Sequence, residues 1–313
     1  MAKISICIPA YKQPECLRRA LESVLTQTYK NFEVIITDDS PDDAVGKVAA
    51  EFGQHVNLKY YKNKTRKGPP ENWNEAVRLA SGEYIKILHH DDWFSDDNSL
   101  AEFVDVLDQN PMADFAFCPS LNCGADGKMR YVNTASETQI KMLHADPSVL
   151  FQGNFIGAPS ATIYRRQVDQ EFDPRLKWLV DIYFYIRMLS NKREFVYIRR
   201  PLVCVSLESS RKVTDECFGN KRVEVFEYLY IYTKLSIDNS LNYQRCKVIW
   251  ALFDRYNVQY AQEILDCGVD FVLPQEVDEI LLFRRFSKRV GRRFASAGMA
   301  VYYIYLKLTH FKL

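Results

Sequence analysis

The stretch "YIKILHHDDW" ends an apolar run in a group of ionisable side chains. His89, His90, Asp91 and Asp92 follow directly on alternating apolar residues, which is the pattern of a buried strand. Two adjacent carboxylates repel each other, and this raises the free energy of their ionised forms unless a cation or a donor lies between them. The cluster is therefore either a solvated turn or a site for a positive ion.

Asp181 lies in a segment that is otherwise almost entirely apolar, "LKWLVDIYFYIRMLS". A carboxylate in such surroundings is desolvated, and desolvation raises its pKa toward the range of a general base. The alternative is an ordinary acidic residue in the first turn of a helix, where the helix dipole stabilises negative charge. Asp181 is thus a candidate base, with the second interpretation left open.

Alternating strand and helix patterns over about the first 120 residues would position these groups. Helical patterns separate five apolar strand patterns, which are "ISICIPA", "FEVIITDDS", "LKYYKN", "EYIKIL" and "ADFAFCPS". This order predicts a mostly parallel sheet with helices on both faces. Ligands of such sheets bind at the carboxyl ends of the strands.

The predicted strand ends carry acidic and basic residues together. They read "PAYKQ", "TDDSPDD", "KNKTRKGPP" and "HHDD". Carboxylates at such an edge can bind a divalent cation or the ribose and base of a nucleotide, and Lys64 and Arg66 can contact phosphate. The mixture predicts a site for a nucleotide diphosphate with a metal ion.

Composition narrows the classes of function. The 313 residues carry a formal net charge of +1, which argues against a nucleic-acid binder held by its overall field. The eight cysteines contain no C-x-x-C pair and the first residues show no signal peptide, so we expect free thiols in a reducing, cytoplasmic compartment. No uncharged apolar run is long enough to span a membrane.

Four motifs, in order, resemble those of family-2 glycosyltransferases of the GT-A fold. They are "PAYK" after the first strand, "SVLTQTY" in the first helix, "TDDS" after the second strand, and "GEYIKILHHDD", which parallels a G-[ED]-Y-[IL] stretch followed by D-x-D-D. The resemblance covers roughly residues 3–210. It implies the α/β fold of a nucleotide-diphospho-sugar transferase, Rossmann-like, with a mixed, mostly parallel sheet flanked by helices and a helical C-terminal extension.

The resemblance, and the change of pattern beyond it, predict the domain organisation. Residues 1–215 would form the GT-A catalytic domain, with a nucleotide-sugar half at about 1–120 and an acceptor half at about 121–215. Residues 216–313 would be helical and end in a basic tail. From Arg284 onward, cations interleave with aromatic and aliphatic residues, which suits an amphipathic helix on an anionic membrane surface. A solvated face or a partner helix is the alternative.

The resemblance also implies inverting transfer of a sugar from a nucleotide-diphosphate donor, with a base for the acceptor hydroxyl and a divalent cation, Mn²⁺ or Mg²⁺, at the leaving diphosphate. Asp181 matches the catalytic base of the family, and Asp91 and Asp92 match metal-binding positions. Asp39 would accept a hydrogen bond from a uracil imide, which favours a UDP-linked donor. The implied donor site comprises Pro9, Tyr11, Asp39, Lys64, Arg66, His89, Asp91 and Arg211, and the implied acceptor site comprises Trp178 and Tyr183.

Three departures from the family pattern bear on this site. His89 stands where the first Asp of D-x-D is usual, so fewer carboxylates would hold the cation. Val180 replaces the usual Glu before the base. Ser206 and Glu208 occupy positions where family members often have Arg and His, which leaves Arg211 or Lys212 to contact the diphosphate.

These features predict a glycosyltransferase that moves a sugar from a UDP-hexose or UDP-N-acetylhexosamine to a lipid-linked (undecaprenyl-diphosphate) saccharide in bacterial O-antigen or capsule biosynthesis. It would be a peripheral protein on the inner face of the cytoplasmic membrane, and a homo-oligomer is left open. The alternative is a non-catalytic module that binds a sugar or lipid carrier on the same fold. A sugar nucleotidyltransferase is less favoured, because "PAYKQPE" lacks the glycines of a phosphate-binding loop.

Overall fold

The computed structural model describes residues 2–166, 171–190, 193–207, 216–235 and 243–290, together with 301, 302 and 304, and gives the backbone alone for 287–290. The chain divides into two compact units. The first comprises Met1–Leu176 and Val180–Arg211, and the second comprises Lys177–Leu179 and Lys212–Leu313.

The first unit begins with regularly alternating strands and helices. These are β1 (Ile4–Ala10), α1 (Pro14–Leu25), β2 (Phe32–Asp38), α2 (Ala44–Phe52), β3 (Leu58–Lys62), α3 (Pro69–Arg78), β4 (Tyr84–Ile87), β5 (Trp93–Phe94), α4 (Ser99–Gln109) and β6 (Ala113–Phe117). Proline in the first turn of α1 and of α3 fits the helix start, because an N–H in that turn has no partner within the helix.

The rest of the first unit has shorter elements. They are β7 (Ser120–Cys123), β8 (Met129–Asn133), α5 (Glu137–Ala145), two 3₁₀ helices (Pro147–Gln152 and Pro159–Ala161), β9 (Thr162–Arg165), α6 (Val180–Leu189), β10 (Glu194–Tyr197) and β11 (Val203–Ser206).

A seven-stranded sheet forms the centre of this unit, in the order β10-β6-β9-β4-β1-β2-β3. All neighbouring strands are parallel except β9, which runs antiparallel to both β4 and β6. The predicted mixed, mostly parallel sheet flanked by helices is therefore confirmed. The five predicted strands are present, but β9, from much later in the chain, separates the fourth from the fifth.

The central strands β1 and β2 are buried along their whole length. This explains why they read as continuous apolar runs, since strands covered on both faces lose the alternation of half-exposed ones. Their register pairs Ala10 with Asp38, and Asp38 pairs in turn with Lys62 on β3. On the other side of β1, Cys7 pairs with Ile87 near the end of β4. The carboxyl ends of these strands therefore meet at one edge of the sheet.

A smaller sheet has the order β5-β11-β7-β8. Its β11 is antiparallel to β5, with Cys204 opposite Trp93. Because Trp93 directly follows Asp92, this pairing brings the end of β11 toward the residues that follow β4.

The second unit is helical in its described residues, with α7 (Lys221–Leu235), α8 (Tyr243–Arg255), α9 (Ala261–Leu265) and α10 (Gln275–Val290). Glu227 on α7 explains why three residues distant in sequence belong to this unit. Its buried carboxylate accepts hydrogen bonds from the backbone N–H groups of Lys177, Trp178 and Leu179, at donor–acceptor distances of 2.7 to 3.2 Å.

Arg284 on α10 is the first cation of the predicted basic tail, and it is buried, with 1% of its surface exposed. Its guanidinium forms an ion pair with Asp254 and donates to the carbonyl oxygen of Val258. Arg284 is therefore part of the core of this unit and does not face solvent. Within the described part of the chain, no helix is long and apolar enough to cross a membrane.

Candidate active site

Residues 89–92 form a tight turn directly after β4, called here the β4 turn. Leu88 continues the pairing with β1, and the N–H of Asp92 donates to the carbonyl oxygen of His89 at 2.9 Å. Potential ligand atoms of His89, Asp91 and Asp92 lie within 4.8 Å of one another. The Nδ1 atom of His89 is 3.9 Å from Oδ2 of Asp92.

Unpaired polar atoms concentrate at this turn. In the described ranges, six buried side-chain nitrogen or oxygen atoms lack a hydrogen-bond partner, and three of them are Nε2 of His89, Nε2 of His90 and Oδ2 of Asp92. A fourth is Nε of Arg19, whose Nη2 donates to the carbonyl oxygen of Asp91 at 3.2 Å. Buried polar atoms are nearly always paired in native proteins, so such a cluster indicates a ligand site.

Electrostatics support the same interpretation. Burial raises the pKa of Asp92 to about 7, and the negative charge of Asp91 adds to this effect. Burial lowers the pKa of His89 to about 4, so its imidazole is neutral near pH 7 and can offer a lone pair. A neutral imidazole with two carboxylates is a set of ligands that fits a divalent cation.

Asp39 is predicted to accept a hydrogen bond from a uracil base, and in the structure it accepts hydrogen bonds from the basic loop that follows β3. Its Oδ1 accepts from the side-chain amide of Asn63 at 2.7 Å, and its Oδ2 accepts from the N–H of Gly68 at 2.8 Å. The N–H of Lys67 lies 3.1 Å from both oxygens. Asp39 therefore fixes this loop beside the end of β2, and its contact with a nucleobase stays a prediction.

Three other predicted donor-site residues lie at the same edge. The guanidinium of Arg66 is 4.3 Å from the ring centroid of Tyr11, so two residues predicted independently stack on each other. Lys64 is exposed in the same loop, and Pro9 is buried within β1. Their contacts with a nucleotide stay predictions. Arg211 lies outside the described residues.

Asp181 lies in the first turn of α6 and is partly buried. Its Oδ2 accepts from the side-chain amide of Asn154 at 2.8 Å, and its Oδ1 accepts from the N–H of Ile182 at 2.8 Å. Asn154 is itself held by both backbone groups of Gly157, a glycine with a φ of 96°. This conformation suits glycine, and it orients the amide that holds the predicted base.

The segment that contains Asn154 also reaches the β4 turn through Ser160. The Ser160 hydroxyl accepts from the N–H of His89 at 3.0 Å, and it favours the charged form of the nearby Asp92 carboxylate and so lowers its pKa. Asp92 also accepts from the N–H of Ser206 at 3.0 Å, so β11 supplies a backbone donor. One short segment thus contacts both the predicted base and the predicted cation ligands.

Sequence reasoning did not identify Arg19, Asn154 or Ser160. Small residues next to aromatic ones in the stretch that begins at Gly153 do indicate a loop that lines a pocket, but nothing in the stretch singles out which hydroxyl or amide faces a carboxylate. Arg19 had a weaker signal still, since it is one of two adjacent arginines on an amphipathic helix.

The two predicted acceptor-site residues differ in their surroundings. Tyr183 on α6 is 8% exposed, and the guanidinium of Arg187 lies 5.2 Å from its ring centroid. Trp178 belongs to the second unit, where its ring contacts those of Phe218 and Tyr228. A role in acceptor binding stays a prediction for both.

The sequence model described as "Glycosyl transferase family 2" matches residues 5–172, more than half of the chain. The chain belongs to glycosyl transferase family 2. This confirms the resemblance inferred from the four motifs, and the match contains Tyr11, Asp39 and the β4 turn.

Two of three curated relatives of this chain are themselves named glycosyltransferases. An uncharacterized glycosyltransferase of Haemophilus influenzae is 25% identical over 236 residues, which are 74% of this chain and 78% of the relative. Glycosyltransferase GlyA of Streptococcus pneumoniae is 33% identical over 95 residues, which are 30% of this chain and 14% of GlyA. An uncharacterized protein of Mycobacterium tuberculosis is 28% identical over 202 residues, 59% of this chain and 61% of the relative. The chain thus spans less than two thirds of the last two.

Solved structures show that the fold is GT-A. Residues 1–349 of TarS from S. aureus, in complex with UDP-GlcNAc, superpose with a TM-score of 0.65 at 16% identity, over 99% of this chain and 92% of that one. The mannosyltransferase PcManGT of Pyrobaculum calidifontis, in complex with GDP-Man and Mn²⁺, gives a TM-score of 0.58 at 13% identity, over 98% and 87%. At these identities the likeness shows the fold alone.

Proposed function

We propose that this family-2 enzyme is an inverting glycosyltransferase that uses a divalent cation at the β4 turn and Asp181 as its general base. The observation that carries the proposal is the β4 turn itself. It combines His89, Asp91 and Asp92 with an unpaired, buried oxygen on Asp92, at the strand end where a GT-A fold receives its donor. This supports binding of Mn²⁺ or Mg²⁺ by the three side chains.

Asp181 would accept the proton of the acceptor hydroxyl as that oxygen attacks the anomeric carbon of the donor sugar. The amide of Asn154 would keep the carboxylate oriented for this transfer, because it donates to Oδ2. A bound divalent cation would offset the negative charge that develops on the departing diphosphate.

For the donor, we propose a UDP-hexose or UDP-N-acetylhexosamine. Tyr11 and Pro9 would contact the base, and Arg66 and Lys64 would contact the base or the phosphates. The UDP-GlcNAc complex of TarS supports this choice of nucleotide only through the shared fold, and the GDP-Man complex of PcManGT shows that another nucleotide occurs on it.

For the acceptor, we propose a lipid-linked saccharide at the inner face of a bacterial membrane, as in O-antigen or capsule assembly. Residues 1–215 would carry out catalysis, and the C-terminal region would contact the membrane surface. Two apolar side chains one turn apart on α10 support that contact, since Leu282 is 56% exposed and Phe286 is 65% exposed.

The proposal is tested by a screen of UDP-glucose, UDP-N-acetylglucosamine and GDP-mannose for hydrolysis with MnCl₂ or with EDTA. We expect turnover of a UDP-sugar only with the metal. Asp91→Asn and Asp181→Asn should each lower kcat by roughly 10²-fold or more, because each removes a group used in the transition state.

The exposed Asp97 provides a matched control, and Asp97→Asn should keep the wild-type rate. Wild-type rates in both the Asp91 and Asp181 variants would refute the site assignment. Nucleotide binding without turnover of any donor, across lipid-linked acceptors as well, would favour the non-catalytic binding module.

A further inference from the structure

Lys86 is a fully buried lysine in the middle of β4, with 0% of its surface exposed. Its strand neighbours Ile85 and Ile87 are buried apolar residues, and Lys86 itself pairs with Ile6 on β1. It lies three residues before His89, yet the mechanism above assigns it no role.

An ammonium group in such a position is costly. Burial lowers the pKa of Lys86 to about 7, which reflects the loss of hydration of the charged form. A well-packed apolar side chain of similar volume is often at least as stabilising as a buried charge. The reason for a lysine here is therefore to be sought in what its ammonium group contacts.

The ammonium group makes two hydrogen bonds, both to backbone carbonyl oxygens. It donates to the carbonyl of Ile87 at 3.1 Å and to the carbonyl of Ser160. The rings of Phe103 and Phe94 lie on it, with centroids 4.7 and 5.7 Å from Nζ. Lys86 thus joins β4 to the short 3₁₀ helix Pro159–Ala161 from inside the protein.

Ser160 carries this connection to the β4 turn, because its hydroxyl accepts from the N–H of His89 and favours the charged form of the nearby Asp92 carboxylate. Ser160 is itself 0% exposed, so no water competes for these bonds. The backbone of Ser160 is held by Lys86, and its side chain holds the backbone of one candidate ligand residue, His89. The ammonium group also places a positive charge near the Asp92 carboxylate.

We propose that Lys86, acting through Ser160, is a positioning residue for the cation site at the β4 turn. The proposal rests on the proposed function, since it assigns both residues to the cation site of that reaction. Partners that orient metal ligands in this way typically contribute 10- to 100-fold to metal affinity.

The test measures Mn²⁺ affinity directly, from the electron paramagnetic resonance signal of free Mn²⁺ with UDP present. The variants are Ser160→Ala, which removes the hydroxyl, and Lys86→Met, which removes the ammonium group. Ser5→Ala is the matched control, because Ser5 is also 0% exposed and its hydroxyl bonds Glu33 and the N–H of Gly82, with no contact to the β4 turn.

We expect Ser160→Ala and Lys86→Met to raise the Kd for Mn²⁺ about 10- to 100-fold, with Ser5→Ala within about 2-fold of wild type. Saturating Mn²⁺ should restore much of the kcat of Ser160→Ala, which a general loss of structure would not allow. If Lys86→Met fails to fold, the alanine variant still decides the result.

Wild-type Mn²⁺ affinity in Ser160→Ala, or an equal loss in Ser5→Ala, would overturn the positioning role while leaving the proposed function intact. A wild-type protein that hydrolyses its donor equally well in EDTA and does not bind Mn²⁺ would remove the cation site and this proposal with it.

Discussion

Two adjacent aspartates occur at the end of β2 and again just after β4, but the two pairs differ in how many of their carboxylate oxygens accept hydrogen bonds from the protein. At the end of β2, Asp38 accepts from Tyr60, Lys62 and the N–H of Ser40. Asp39 beside it is held by the basic loop, so each carboxylate oxygen of this pair has a donor. These two residues are called here the β2 pair.

At the end of β4, Asp91 and Asp92 form the β4 pair. Asp92 is 2% exposed and its Oδ2 has no hydrogen-bond partner, although Oδ1 accepts from the N–H of Ser206. Protein donors thus neutralise the β2 pair, whereas the β4 pair retains an oxygen available to a cation. The residue types in a motif do not distinguish a structural aspartate from one that binds a cation. The hydrogen-bond donors around each carboxylate do distinguish them.

The largest effect should follow from Asp92→Asn. This change removes a charged ligand from a buried site, so we expect the Kd for Mn²⁺ to rise about 10²-fold or more, measured by calorimetric titration with UDP present. Asp97→Asn, five residues further along the chain and exposed, should bind Mn²⁺ like wild type. An unchanged Kd in Asp92→Asn would mean that the cation does not use the β4 pair.

A second prediction concerns Glu33 on β2, whose two carboxylate oxygens also both accept hydrogen bonds. Burial alone would raise the pKa of Glu33, but hydrogen bonds from Lys59, Ser81 and Ser5 outweigh this and lower it to about 2. Its stabilising effect is therefore complete above the unfolded-state pKa of 4.5 and is lost as the pH falls toward 2.

We expect Glu33→Gln to lower the free energy of unfolding by about 3 kcal/mol at pH 6, and the difference from wild type to shrink by about 2 kcal/mol by pH 3. Urea unfolding at both pH values measures this, and Mn²⁺ affinity should not change. A difference that is constant with pH would show that the charge of Glu33 is not what stabilises the strand.

The smallest effect should follow from Asp39→Asn. The amide weakens the charge-assisted bonds from the N–H groups of Lys67 and Gly68, so the free energy of unfolding should fall by about 1–2 kcal/mol. Urea unfolding measures the loss, and calorimetry should give a Kd for Mn²⁺ within about 2-fold of wild type. A loss of Mn²⁺ binding as large as in Asp92→Asn would reverse the roles given to the two pairs.

The amino-terminal part of the fold follows from the sequence because each strand and helix there is long, periodic and local. The antiparallel strand β9 could not be foreseen, since its position depends on pairing with residues of β4 that lie 79 and 81 positions earlier and with residues of β6 that lie 45 to 49 positions earlier. The burial of Arg284 could not be predicted for a similar reason. Its partners Asp254 and Val258 are distant in sequence and contact it only because the helices pack together.

Some residues of the candidate site could be predicted from the sequence and others could not. Motif order and spacing identify Asp39, Asp91, Asp92 and Asp181 as candidates. The donors that hold them come from distant segments, so the sequence alone does not single out Asn154, Ser160 or Lys86. The histidine at position 89, where the family usually has an aspartate, can be explained physically. Its neutral imidazole lies 3.9 Å from Asp92, and a third carboxylate at that position would add electrostatic repulsion.

The most direct measurement is anomalous diffraction at the manganese edge from crystals grown with UDP and MnCl₂. The account predicts a peak within about 2–2.5 Å of carboxylate oxygens of Asp91 or Asp92, at the distance expected for a bound divalent cation. A peak beside Asp38 or Asp39 instead, or bound UDP with no peak at the β4 turn, would contradict it.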